Sequence, residues 1–312
     1  ATYLIKTAAA FGGTPNDYGD HTLANGNVAV LQYSGSANVK QFGAKGDGVT
    51  DDNGAIQAAI DSNLAVHIPS GTFLLTTPIS LRRDSIIIGD GRLNSIMLGQ
   101  VLIGDGGATT PMIRHCELHE LQVDCDGRYD YAVIVNQSRD FIIDSCTISG
   151  IEQIFSVTGT ITNNRLGKGL GDWAVLLKDY SNGSVISNNI ISGGVSGGAI
   201  NIRGPMTLGT INSNTIESSL HGIWIASEEE VVSGDAGTCT SITMKGNYIE
   251  QCSTPFKIAK AYKVSALNLS GTYIGNSGTS VVPTRTAAFT IGRMKNSTIA
   301  NTNVALLEDV GT

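Results

Sequence analysis

The chain repeats a short phrase: Asp130-Tyr-Ala-Val-Ile-Val135, Glu152-Gln-Ile-Phe-Ser-Val157, Asp172-Trp-Ala-Val-Leu-Leu177, Gly197-Gly-Ala-Ile-Asn-Ile202 and Leu220-His-Gly-Ile-Trp-Ile225. Two later copies, Ser253-Thr-Pro-Phe-Lys-Ile258 and Thr286-Ala-Ala-Phe-Thr-Ile291, keep the form. In this alignment the fourth and sixth residues are apolar in every copy, as in Val133/Val135, Phe155/Val157 and Val175/Leu177. The fifth is mixed: Ile134, Ser156, Leu176, Asn201, Trp224, Lys257 and Thr290. Alternation with period two is the signature of a strand with one face buried. A strand cannot bury that face alone, whereas stacked copies bury one continuous column.

A second phrase supports the stack: Ser145-Cys146-Thr-Ile148, Asn163-Asn164-Arg-Leu166, Asn188-Asn189-Ile-Ile191, Ser213-Asn214-Thr-Ile216 and Gly246-Asn247-Tyr-Ile249. Successive copies are separated by a few tens of residues, the range of solenoid coils. Asn164, Asn189, Asn214 and Asn247 fall in register and read as a ladder of stacked amides at a turn. Asparagine also tolerates left-handed backbone angles there. A leucine-rich repeat would show a leucine consensus, and a propeller would need longer four-stranded blades. The pattern predicts an all-β fold, a single-stranded right-handed parallel β-helix.

Composition agrees. The 312 residues are 41% hydrophobic and only 15% charged, with 38 glycines, which suits many short strands and turns. The formal net charge of -7 and the lack of a basic stripe argue against nucleic acid as a partner. No apolar run approaches the roughly 20 residues that span a bilayer, so no membrane insertion is expected. The chain begins at Ala1 rather than Met, as expected of a processed chain or of a piece cut from a longer one. Five cysteines, Cys116, Cys125, Cys146, Cys239 and Cys252, make neither a disulfide framework nor a zinc pattern and read as buried thiols.

Ahead of the repeats stands Phe42-Gly-Ala-Lys-Gly-Asp-Gly-Val-Thr-Asp-Asp52, then Gly54-Ala-Ile-Gln-Ala-Ala-Ile-Asp61 and Ile68-Pro-Ser-Gly-Thr-Phe73. Asp51 or Thr50 is expected to cap a short helix at about 51–62, with Ile56, Ala59 and Ile60 as its apolar stripe. That helix would cover the open end of the solenoid. These motifs resemble the pectate-lyase-like superfamily, in its bacteriophage tailspike and polysaccharide depolymerase form. The resemblance runs from about residue 38 to 312. It implies a homotrimer, a virion or extracellular location and a bacterial polysaccharide as partner. Residues 1–37 would then be a connecting or trimer-contact segment that links the body to a phage tail or baseplate. Some of the superfamily's motifs are missing. The ordered Asn-Thr-Asp, Asp-Asp, Gly-His-Gly and Arg-Ile-Lys set of polygalacturonases is absent, and His221-Gly222 lacks the preceding glycine. The calcium and arginine pattern of pectate lyases is also missing, so a pectin enzyme is not indicated.

Coils rise about 4.8 Å apart, so equivalent positions are surface neighbours. In this register Asp130, Glu152 and Asp172 follow one another on successive coils, and Glu217 and Glu250 follow the inward Ile216 and Ile249. These five carboxylates are the candidate catalytic residues, since glycoside hydrolysis divides acid and base or nucleophile roles between two of them. Trp173, His221 and Trp224 on the same edge are the candidate substrate-binding residues, because an exposed indole offers a flat apolar face to a sugar. Asp130 and Asp172 also suit ordinary turns, Glu217 and Glu250 a solvated surface, and Trp173 a corner where it could pack inward. Asp124 and Asp126 are too few oxygen ligands to indicate a metal, and no cofactor is expected. The run Glu228-Glu229-Glu230 opens an insertion that could wall a groove. Three activities compete: hydrolysis of a capsule or O-antigen chain, β-elimination by a lyase, and binding alone by a receptor spike. A lyase needs a base such as His221 and a cation for the uronate, and few Arg or Lys are expected on this edge.

Overall fold

The computed structural model describes residues 2–104 (except 13 and 16), 113–225 (except 205) and 238–274 (except 259–262 and 266), and the strand backbones between 289 and 309. Its core is a parallel β-helix. Each coil contributes one strand to each of three long parallel sheets, called faces I, II and III in the order the chain visits them. One coil runs Ile142–Asp144, Thr147–Ser149 and Ile151–Ile154, and the next Thr160–Thr162, Arg165–Gly167 and Trp173–Lys178. The inward residues form unbroken columns, such as Ile143, Ile161, Ile186 and Ile211 on face I, all buried. Cys116, Cys125, Cys146, Cys239 and Cys252 are all buried. Burial pushes the thiols of Cys116, Cys146 and Cys239 up to about 11, 12 and 12, which leaves them unreactive at neutral pH.

The ladder is complete. The amides of Asn164, Asn189, Asn214 and Asn247 are joined by Nδ2–Oδ1 hydrogen bonds of 3.1, 3.0 and 3.0 Å. Each Nδ2 also donates to a carbonyl of the preceding coil, and each Oδ1 accepts a backbone N–H from it. The left-handed backbone lies one residue earlier than expected, at Ser145, Asn163, Asn188, Ser213 and Gly246. Small and Asx residues take the strained angle there, which frees the next side chain to point inward and bond along the axis.

Ahead of the solenoid, Thr2–Lys6, Val28–Gln32 and Asp20–Thr22 make a small antiparallel sheet. The helix Asn53–Ser62 buries Ala55, Ile56, Ala58, Ala59 and Ile60 against the first coils. Its N-cap differs from expectation. Asp52 holds the cap position but makes no side-chain cap bond, because its carboxylate accepts the N–H groups of Lys45 and Gly46 at 2.6 and 3.0 Å. Asp51 accepts from Thr76 Oγ1 at 2.6 Å and from Asn53 N–H at 3.1 Å. The paired aspartates staple the leading loop to the next coil, and Thr50 bonds Asp47 instead.

Candidate active site

Face III carries the site, and strand register decides which side chains face outward on it. Val133, Ile151 and Val175 pair across adjacent strands, as do Ile134, Glu152 and Leu176. The outward column continues through Asn201, Trp224 and Lys257. Glu152 therefore occupies the fifth position of its repeat, not the first. Ile151 and Gln153 are the inward residues of that coil, whereas Phe155 lies exposed at the corner and Val157 is only half-buried. The sequence alignment slips by four residues because Gln153, fully buried, breaks the apolar signature. Its Nε2 bonds Ser184 Oγ at 2.7 Å and the Ser156 carbonyl at 3.2 Å inside the solenoid.

This coil is also short. Cys146 N–H reaches Asn164 across 18 residues, whereas the next ladder steps span 25. Ser149 and Gly150 turn directly onto face III and pair with Ala132 and Val133. The segment before Ala132 is left without a neighbour on that coil and pairs with the coil beyond. Leu170 N–H donates to Tyr129 O at 3.2 Å, and Gly171 N–H to Asp130 O at 3.0 Å. Asp130 and Asp172 are thereby brought together at the edge of the sheet, both exposed. Tyr131 fills the notch between Gly150 and Gly171, where an added Cβ would stand 3.0 and 2.8 Å from its ring.

The result is a groove of about 660 Å3 lined by Asp130, Tyr131, Glu152, Asp172, Trp173 and Lys178, among others. Its floor holds an ion pair, Lys178 Nζ to Glu152 Oε1 at 2.9 Å, with the Glu152 side chain only 13% exposed. Burial, followed by the Glu152 carboxylate, drives the Tyr131 phenol well above its usual range, so it stays protonated and serves as a hydrogen-bond donor or acceptor rather than a base. Contrary to the expectation of few cations, Arg128, Lys178 and Arg203 all line the groove. Lys178 and Arg203 each directly follow an inward sixth residue, Leu177 and Ile202, a signal present in the repeat but unread.

The remaining candidates separate. Glu217 and Glu250 follow the paired Ile216 and Ile249 at the corner leading onto face III and do not line the groove; Glu250 accepts a hydrogen bond from the Tyr248 hydroxyl. Trp173 is 4% exposed and packs with Tyr131 and Leu176 on the outer surface of the sheet. Its neighbour on the next coil is Gly198, whose missing side chain leaves room for the indole. His221 and Trp224 extend this cluster, with ring centroids 4.0 Å apart and Lys257 Nζ 4.4 Å from the Trp224 ring centre. Burial, with the Lys257 charge adding, lowers His221 from 6.5 to about 4, so it is neutral at physiological pH. His221 Nδ1, Trp224 Nε1 and the Asn201 amide are buried without a hydrogen-bond partner among the described residues. Asp126 pairs with Arg128 at 3.2 Å, and its N–H donates to Asp124. Among the described residues, no group of three or more His, Cys, Asp or Glu is placed to hold a metal. Glu228, Glu229 and Glu230 lie outside the described residues.

Residues 36–279 match the family described as Rhamnogalacturonase A/epimerase, pectate lyase-like. The chain belongs to that family. It is 41% identical over 68 residues to the pre-neck appendage protein of Bacillus phage phi29, a match covering 22% of this chain and 8% of that protein. It is 28% identical over 174 residues to an exo-poly-alpha-D-galacturonosidase of Dickeya chrysanthemi, covering 54% of this chain and 24% of that one. Both matches span a minor part of the relative's length. The tailspike protein of Acinetobacter baumannii phage AM24 is similar in fold, with a TM-score of 0.61 at 15% identity over 95% of this chain and 48% of that one.

Proposed function

We propose that this family member is the β-helix body of a phage tailspike or appendage that binds a bacterial surface polysaccharide along face III and hydrolyses it. The observation that carries the reading is the Asp130–Asp172 pair at the rim of a groove whose floor bears the Glu152–Lys178 ion pair. Two neighbouring carboxylates can share acid and base or nucleophile roles. Glu152, already bonded to Lys178, serves in positioning and charge balance. Likeness to a phage appendage protein and to a galacturonosidase supports a glycan-acting virion protein. The homotrimer is part of the proposal, and exposed Tyr3, Leu4 and Ile5 on the first strand offer it an apolar contact.

A lyase is the second reading. Arg128, Lys178 and Arg203 in the groove favour it, since a cation beside a uronate carboxylate eases proton abstraction at the adjacent carbon. The test is incubation with purified capsular and O-antigen polysaccharides, following chain length, new reducing ends and ultraviolet absorbance. Shortening with reducing ends and no absorbance supports hydrolysis. Shortening with absorbance selects the lyase, and binding without shortening selects a receptor spike. If Asp130→Asn and Asp172→Asn each cleave as fast as the parent protein, the assigned pair is wrong.

A further inference from the structure

Just past the Lys178 end of the groove lie two rings that the groove does not use. Phe155 directly follows Ile154, which pairs with Lys178, and Tyr180 stands two residues beyond Lys178 on the next coil. Phe155 N–H donates to the Asp179 carbonyl at 2.9 Å, which locks the two corners together. The rings stack with centroids 6.0 Å apart and planes 20° from parallel. They are nonetheless 43% and 49% exposed. Both residues hold left-handed backbone angles, φ 47° and 60°, which aromatic residues seldom adopt.

We propose that Phe155 and Tyr180 form a stacking platform that lengthens the groove and holds a further pyranose of the same glycan by its C–H face. The inference rests on the groove being a glycan site. Three features select a sugar over a protein partner. Two half-exposed rings offer on the order of 200 Å2, far below the roughly 800 Å2 per partner of a stable protein interface. The rings are stacked on each other, so a flat ligand would lie on the outer face of the pair, and they continue directly from a groove-lining strand. The neighbouring Asp179 and Lys178 supply polar groups at the edge of such a sugar.

The test uses oligosaccharides of graded length prepared from whichever capsular or O-antigen polysaccharide the parent protein retains, with affinities measured by calorimetry. Phe155→Ala and Tyr180→Ala should each weaken the longest oligosaccharides about tenfold and leave the shortest unchanged, while Tyr180→Phe behaves as the parent. Phe155→Gly removes the ring and relieves the left-handed backbone, so it should fold at least as stably and show the same loss. Equal affinity for long chains in all variants overturns the platform while leaving the groove reading intact. A change in oligomeric mass in the alanine variants also overturns it, since the rings would then be a protein contact. If the parent protein retains no polysaccharide in the panel, the groove reading falls and the platform falls with it.

Discussion

Asn189→Ala should be among the most damaging polar-to-alanine substitutions in the interior of this solenoid, because it strips a rung from the middle of the amide ladder. Asn189 Oδ1 accepts the Asn164 backbone N–H at 2.9 Å and Asn164 Nδ2 at 3.1 Å. Its Nδ2 donates to the Ile161 carbonyl at 2.9 Å and to Asn214 Oδ1 at 3.0 Å. Removing the amide strands the Asn164 N–H and one hydrogen of Asn164 Nδ2, whereas Asn214 Oδ1 keeps the Asn189 N–H and the Ile161 carbonyl keeps its sheet partner. A buried group left unsatisfied costs about 1–3 kcal/mol, so two at the lower end of that range give about 2–3 kcal/mol. Asn164→Ala strands only the Cys146 N–H, the Ile143 carbonyl again keeping its sheet partner, and should cost about 1 kcal/mol less. The assay is urea unfolding of both variants and the parent, with equilibrium midpoints and unfolding rates read together, because solenoids of this size often unfold under kinetic control. An Asn189→Ala protein within 0.5 kcal/mol of the parent, or an Asn164→Ala protein that is the weaker of the two, would refute the account of the ladder as a bonded unit.

Four other outcomes follow from the site. Asp130→Asn or Asp172→Asn should reduce cleavage by at least a hundredfold while leaving the melting temperature within a few degrees, measured by reducing-end release and calorimetry. Lys178→Met should destabilise the fold by about 2 kcal/mol in denaturant titration, because it strands the largely buried Glu152 carboxylate; the double change with Glu152→Gln should recover most of that loss. His221 sits at about 4 in the folded state against 6.5 when free, so the fold favours its neutral form. Its contribution is fully present above pH 6.5 and is lost as pH falls toward 4; the full shift would be about 3 kcal/mol, discounted to about 1–2 kcal/mol for partial solvent screening. His221→Gln should flatten the stability profile over that window, and an unchanged slope would reject the assignment. Gly198→Ala should drive a methyl group into the Trp173 ring, costing about 1–3 kcal/mol and shifting the tryptophan fluorescence.

Much of this architecture could be read from residues alone, because inward positions on face III are apolar in nearly every copy and the ladder asparagines recur at one register. The reading failed where a polar residue took an inward place. The Nε2 of Gln153 is held by Ser184 and Ser156, partners 31 and 3 residues away, and no local pattern announces that. The slip moved Glu152 into the wrong column, and with it went the Glu152–Lys178 pair and the basic lining of the groove. It also placed Phe155 inside the solenoid, so the exposed Phe155–Tyr180 pair went unseen. Trp173 was open between inward and outward packing. It is buried on the outer surface, because glycine at 198 leaves the neighbouring coil bare.

The same short coil that defeated the alignment accounts for the groove. A regular 25-residue step, as between Asn164 and Asn189, leaves room for a long approach to face III, seen in Asp172-Trp173-Ala174 before the inward Val175. The 18-residue step has no such approach and turns through Gly150 straight onto the sheet. One layer of wall is therefore missing across the start of face III, and the layers on either side close over the gap by direct backbone bonds. That closure sets Asp130 beside Gly171 and Asp172, residues that a regular stack would keep a full coil farther apart. A six- or seven-residue insertion after Ser149 should restore the missing layer, fill the notch and separate Asp130 from Asp172. If such a variant folds, keeps its ladder and still cleaves glycan at the parent rate, the chemistry does not depend on this notch and must be sought elsewhere on the solenoid.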